Sequence, residues 1–305
     1  MRGALAPWAI TVLLALSAGA AVAADAVRVA SKIDTEGALL GNLMLAVLKA
    51  RGVDAADKLG LGPTNILRKA IIAGEIDLYP EYTGNGAIFY SMEGDPAWRS
   101  AAAGYAKIKA LDDAQRKLVW LEPAPADNAW AIALRKDVAL ANKLASMEDF
   151  ARWVNADGRV RLAASAEFVE SPAALPAFER IYGFTLRRAQ ILTLAGGNTA
   201  VTLRAAAEGT SGVNAGMAYG TDGALAILDL VVMADPKKAQ VVYAPAPVIR
   251  AGVLARHPEI ADGLEPVFRS LDEATLRRLN AAIAVDGEDA HEVALEYLRS
   301  KGFVR

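Results

Sequence analysis

The sequence predicts an α/β protein. Short apolar runs alternate with helical periodicities along most of the chain, the pattern of strands covered by helices. At 305 residues the chain is too long for a small module and fits one large domain or two lobes. Hydrophobic residues make up 54% and charged residues 22%, which supports a core and excludes wholesale disorder.

Residues 1–24 read as an export signal. Arg2 precedes an apolar stretch from Trp8 to Leu16, and small residues follow up to Ala23 and Ala24, where cleavage is expected. The run is shorter than the ~20 residues of a spanning helix, so a soluble, exported product is expected.

The first strand is expected at Val27–Ala30. Leu39, Leu40, Leu43, Met44, Val47 and Leu48 then mark one face of a helix over 37–49, with Gly52 at its end. A helix over 64–73, stopped by Gly74, precedes a strand at 76–79. Pro96 opens a helix to Leu111, and strands follow at 119–121 and 129–134. Further on come a strand at 160–164, a helix at 174–182, a helix at 198–208 and a strand at 213–219. Val241-Val242-Tyr243 reads as a strand before Pro245 and Pro247. Helical patterns at about 258–270, 273–283 and 288–300 close the chain.

One internal echo bears on function. Gly62-Pro63-Thr64-Asn65 opens a helix that leads into a strand ending at Tyr82-Thr83-Gly84. Gly197-Asn198-Thr199 opens another that leads into a strand ending at Tyr219-Gly220-Thr221. Ligands in open α/β sheets bind beyond the carboxyl ends of strands, where helix N-termini present free N–H groups. Two such units facing one another would form a cleft.

Much chemistry is excluded. There is no cysteine, so disulfides, thiolate metal sites and cysteine nucleophiles are out. With only His257 and His291, an imidazole-rich metal or catalytic site is out as well. Lys+Arg of 33 against Asp+Glu of 35 leaves no basic footprint for nucleic acid. HExxH, GxSxG and Walker A motifs are missing. No catalytic set, cofactor or metal is expected. An enzyme on this scaffold would have to use Glu36, Glu81 or Asp222, the carboxylates near the motifs. A sensor that binds a protein partner instead of a solute is a further alternative.

Aromatic residues at strand ends and turns are present: Tyr79, Tyr82, Trp130, Tyr219 and Tyr243. Tyr79, between Leu78 and Pro80, reads as core. The faces of the others could hold a quaternary ammonium, at about 0.5–2 kcal/mol per good contact.

The stretch Ser31-Lys32-Ile33-Asp34-Thr35-Glu36-Gly37 to Gly41-Asn42 resembles the substrate-binding proteins of osmoprotectant ABC importers, for glycine betaine, choline and carnitine. So do Ala73-Gly74-Glu75-Ile76-Asp77-Leu78-Tyr79-Pro80-Glu81-Tyr82-Thr83-Gly84, Ala218 to Gly223, and Tyr243-Ala244-Pro245-Ala246-Pro247. Lys32–Asn42, Trp130 and the segment Ala163 to Phe168 resemble the OsmF (YehZ) branch of that family.

The resemblance implies a two-lobed periplasmic-binding-protein fold of the type II kind, with two hinge crossings. One lobe would comprise 25–128 and 242–305, the other 129–241. It implies an aromatic cage of Tyr82, Trp130, Tyr219 and Tyr243 around a trimethylammonium group. Lys32 would face the solute carboxylate, and Asn85 and Asn128 would make polar contacts. The implied partners are a small solute and the ABC permease subunits, the protein acting as a periplasmic monomer. Trp130 and Asn85 stand where the family more often has Tyr and Thr. Ser171 stands where it often has an Arg that clamps the carboxylate, with Glu170 beside it.

Overall fold

A computed structural model describes residues 26–194 and 199–305. The predicted export signal at 1–24 and the Gly197-Asn198 helix start lie outside the described residues. Two five-stranded sheets form the frame. The first contains β1 (Val27–Lys32), β2 (Ala55–Gly62), β3 (Leu78–Tyr82), β4 (Leu118–Trp120) and β10 (Pro245–Arg250). Its order is β2-β1-β3-β10-β4. The second contains β5 (Trp130–Arg135), β6 (Leu162–Ser165), β7 (Ile191–Leu194), β8 (Ala215–Tyr219) and β9 (Leu230–Val232), in the order β7-β6-β8-β5-β9.

The two sheets share one plan. In each, three parallel strands are followed by one antiparallel strand that arrives from the other sheet. The internal echo of the sequence is this shared plan. Helix Thr64–Ala73 joins β2 to β3, and helix Thr199–Glu208 joins β7 to β8 at the equivalent place. Tyr82 and Tyr219 therefore end equivalent strands.

Local chemistry sets the elements that carry the site. Helix Thr35–Ala50 starts where the Asp34 carboxylate accepts the Gly37 N–H at 2.7 Å. A Cβ on Gly37 would lie 2.7 Å from the Lys32 carbonyl oxygen, so glycine lets the first turn rest on the end of β1. The predicted apolar face, from Leu39 to Leu48, is buried with Phe268, Leu276 and Leu298 of the C-terminal helices. The second sheet buries a separate core around Phe150, Phe168, Phe178 and Met217. No helix among the described residues is long and apolar enough to cross a membrane.

The chain passes between the sheets twice, through 121–129 after β4 and through 233–244 before β10. These crossings are bonded to each other. Asn128 N–H donates to the Tyr243 carbonyl at 3.0 Å, and Tyr243 N–H donates to Asp127 Oδ1 at 2.8 Å. The same Oδ1 accepts Ala129 N–H at 3.0 Å. Burial pushes the Asp127 carboxyl up to about 6, against the two N–H groups that favour its charged form.

Two expectations are corrected. Val241-Val242-Tyr243 is not a strand: its donors go to the Trp98 carbonyl and to Asp127, and the ladder begins only at Pro245. Two prolines fit in this central strand because β4 stops at Trp120. Past that point they need only accept, Pro247 from Leu121 N–H at 3.0 Å and Pro245 from Ala124 N–H at 2.8 Å. The expected helix from Pro96 to Leu111 is two elements, a 3-10 turn at Pro96–Arg99 and a helix at Ala101–Arg116 that Ser100 caps. β2, β7 and β9 escaped the sequence reading because edge strands need not alternate. β2 is largely exposed, and β9 is three half-buried residues.

Behind the first sheet, Asp112 is fully buried. It binds both Arg68 guanidinium nitrogens, the Trp120 indole N–H at 2.6 Å and the Tyr90 hydroxyl at 2.6 Å. Asp112→Ala would strand the buried Arg68 charge and should cost about 3–5 kcal/mol in urea unfolding. At the crossings, Asp127→Asn keeps the oxygen that accepts both N–H groups and removes the charge. A carboxyl raised to about 6 in the native state disfavours folding once it ionises. The variant should therefore be more stable than wild type at pH 7.5, by up to about 3 kcal/mol. The gain should shrink as pH falls through 6 towards 4, as urea denaturation at several pH values would show.

Candidate functional site

The carboxyl ends of the parallel strands of both sheets open on one cleft of about 690 Å³. All seven expected binding residues line it: Lys32, Tyr82, Asn85, Asn128, Trp130, Tyr219 and Tyr243. Lys32 ends β1, Tyr82 ends β3, Tyr219 ends β8, and Trp130 begins antiparallel β5. Asn128 and Tyr243 come from the two crossings. Tyr79 is fully buried in the first sheet's core, as expected for it.

The aromatic groups divide in two. On the second sheet, Trp130 and Tyr219 are register partners, and their rings stack at 4.4 Å and 29°. Phe168 packs behind Trp130 at 5.3 Å, so the wall is held from both sides. On the first sheet, the Lys32 ammonium lies 4.2 Å from the Tyr82 ring centroid and already covers one face. The Tyr82 hydroxyl donates to Glu36 at 2.7 Å, and the residue is only 5% exposed.

Glu81 and Glu36 organise the polar side. Glu81 is fully buried, and its Oε1 accepts from Lys32 at 2.9 Å, Asn85 Nδ2 at 2.7 Å and the Tyr82 N–H at 2.8 Å. Lys32 thus enters the cleft already paired with a carboxylate. Glu36 accepts from Tyr82, from Asn280 Nδ2 at 2.8 Å and from Asn128 Nδ2 at 3.4 Å. Burial raises its pKa, against side-chain hydrogen bonds from Thr221, Tyr82 and Asn280 that favour the carboxylate.

Helix Glu273–Ala284 braces the far side. Asn280 also donates to the Thr221 carbonyl at 3.0 Å, and Arg277 donates to the Gly220 carbonyl at 2.7 Å. The turn after β8 is thereby tied to a helix that packs with the first sheet. A Cβ on Gly220 would lie 2.0 Å from the Asp127 carbonyl oxygen, so this turn needs glycine to meet the crossing. Asp222 accepts the Tyr219 N–H at 2.7 Å and the Thr199 hydroxyl at 2.9 Å, and burial pushes it up to about 6.

Glu36, Asn280, Thr221, Asp222 and Glu167 also line the cleft and were not among the expected binding residues. Glu36 and Asp222 carried a signal, because both lie inside recognisable motifs. Asn280 carried none, as it meets Glu36 across 244 positions of sequence. Ser171 and Glu170 are not among the lining residues, and Glu170 is exposed. Among the described residues, no group of three or more His, Asp or Glu side chains could hold a metal ion.

The model of the substrate-binding domain of ABC-type glycine betaine transport systems matches residues 25–300. The chain is 56% identical over 283 residues to the glycine betaine-binding protein YehZ of Escherichia coli K12, covering 93% of each chain. It is 33% identical over 282 residues to a glycine-betaine-binding protein of Pseudomonas aeruginosa, covering 90% of this chain and 88% of that one. The solved structure of apo YehZ from E. coli superposes with a TM-score of 0.82, over 92% of this chain and 100% of that one. A solved glycine betaine/carnitine/choline ABC transporter structure, at 18% identity and a TM-score of 0.79, shares the fold over 91% of this chain and 99% of that one. The chain is a two-lobed α/β binding protein that belongs to the family of substrate-binding domains of ABC-type glycine betaine transport systems.

Proposed function

We propose that this protein is exported to the periplasm, captures a small quaternary ammonium solute such as glycine betaine or choline in the cleft, and delivers it to an ABC permease. The observation that carries the reading is the convergence of the Trp130–Tyr219 stack, Tyr243 and several carboxylates at facing strand ends. A trimethylammonium group cannot donate a classical N–H hydrogen bond, so aromatic faces and diffuse negative charge are the groups that can hold it. The relatives named for glycine betaine support the same class of solute.

The protein works by binding and closure, without catalysis. The lobes divide at the two crossings, one comprising 25–128 with 242–305 and the other 129–241. Solute contacts Tyr219 and Trp130 on one lobe and Tyr82 and Lys32 on the other. Binding therefore favours the arrangement in which both walls are engaged, and the permease can tell loaded from empty protein. The protein acts as a monomer, because the cleft is complete within one chain.

Calorimetric titration of ligand-stripped protein with glycine betaine, choline and carnitine tests the reading. At least one should bind saturably, with a change in Trp fluorescence from Trp130. Tyr219→Ala should weaken that binding at least tenfold with the thermal unfolding midpoint little changed. No binding to any quaternary ammonium would overturn the assignment.

A further inference from the structure

The charges around the cleft are unequal. Lys32 is the one basic side chain among the described lining residues, and its ammonium is bonded to Glu81 at 2.9 Å. Asp34, Glu36, Glu167 and Asp222 line the same space. Three of these have assigned work. Asp34 caps helix Thr35–Ala50, Glu36 collects Tyr82 and Asn280, and Asp222 holds the turn after β8.

Glu167 has none. Its carboxylate has no hydrogen-bond or ion-pair partner among the described residues. It sits in the short helix Ala166–Glu170 directly after β6, at the same carboxyl edge as the aromatic wall. Its neighbour Phe168 is fully buried and packs on Trp130, which fixes the helix against that wall. Burial raises the Tyr219 and Tyr243 hydroxyls, and the Glu167 charge adds to both shifts, as its place on the cleft lining would have it. A second observation concerns the walls. Asn280, 4% exposed, donates to Glu36 and the Thr221 carbonyl, Asn128 donates to Glu36, and the Oδ1 atoms of both are left as buried acceptors without a donor among the described residues. The unused polar capacity there is for a donor, not for an anion.

From this arrangement we infer that Glu167 is a specificity-determining residue that favours a net-cationic quaternary ammonium alcohol over a zwitterion carrying a carboxylate. The inference rests on the binding reading above and names the solute class within it. A cation before the Trp130–Tyr219 wall is attracted by Glu167. A solute carboxylate in the same space is repelled by it, and Lys32 cannot compensate fully while Glu81 neutralises it. A hydroxyl in place of the carboxylate escapes that repulsion and can donate.

The test compares Kd values for choline and glycine betaine by calorimetry at fixed ionic strength, for wild type, Glu167→Gln and Glu170→Gln. Wild type should bind choline more tightly. Glu167→Gln should weaken choline about tenfold and leave glycine betaine unchanged or tighter, so that the ratio moves at least tenfold. Glu170→Gln, like Glu167 exposed but outside the cleft, should alter neither. Wild-type preference for glycine betaine, or a Glu167→Gln effect that is absent or equal for both solutes, would overturn this inference and leave the binding reading standing. Failure of wild type to bind either probe would overturn this inference, and the binding reading with it if carnitine does not bind either.

Discussion

The Glu36 carboxylate ties together parts of the chain that lie far apart in sequence. It stands in the first turn of the helix after β1, takes the Tyr82 hydroxyl from β3, and takes Asn280 from a C-terminal helix. Through Asn280 it reaches the Thr221 carbonyl beyond β8, on the other sheet. A buried carboxylate is tolerated only when donors surround it, so these elements are constrained to meet where Glu36 is. The orientation of Tyr82, the position of the Tyr219 turn and the floor of the cleft follow from that requirement.

The cleft shows a division of labour between its walls. The second sheet contributes stacked rings with little polar work to do. The first sheet contributes a Lys32–Glu81 pair and the Glu36 network, which spend most of their hydrogen-bonding capacity on one another. A binding protein of this kind gains from such spending. Groups held by their neighbours lose little freedom when a solute arrives, so more of the interaction energy remains to bias closure. The crossings extend the same logic, since Asp127 accepts the Tyr243 N–H from the other crossing and the Ala129 N–H from its own, and so places Tyr243 at the edge of the cleft.

Much of this was legible in the sequence. The apolar face of helix Thr35–Ala50 and its Gly52 stop were readable because helix periodicity and termination are local properties. The placement of Tyr82, Trp130 and Tyr219 at strand ends was readable from motifs in which strand, turn and aromatic lie within a few residues, whereas Lys32 came only from the family resemblance, since the first strand was expected to stop at Ala30. The paired helices at 64–73 and 199–208 were visible as an echo because both sheets are built on one plan. Edge strands such as β2 were not visible, because an exposed edge imposes no alternation. The start of β10 was misplaced because Pro245 and Pro247 read as strand breakers. Only the early end of β4 makes them acceptable.

The sequence by itself determined the α/β alternation, the exclusion of cysteine and histidine chemistry, and which residue types stand at the strand ends. Those properties depend on composition and on neighbours in the chain. Tertiary structure alone decided how the charges are paired. Lys32 meets Glu81 across 49 positions and Asn280 meets Glu36 across 244, while Glu167 has no partner among the described residues. Coulomb energy depends on distance in space and on burial, neither of which sequence separation records. The character of the cleft, with the Lys32 ammonium already neutralised beside an aromatic wall, therefore emerged only when the two sheets faced one another.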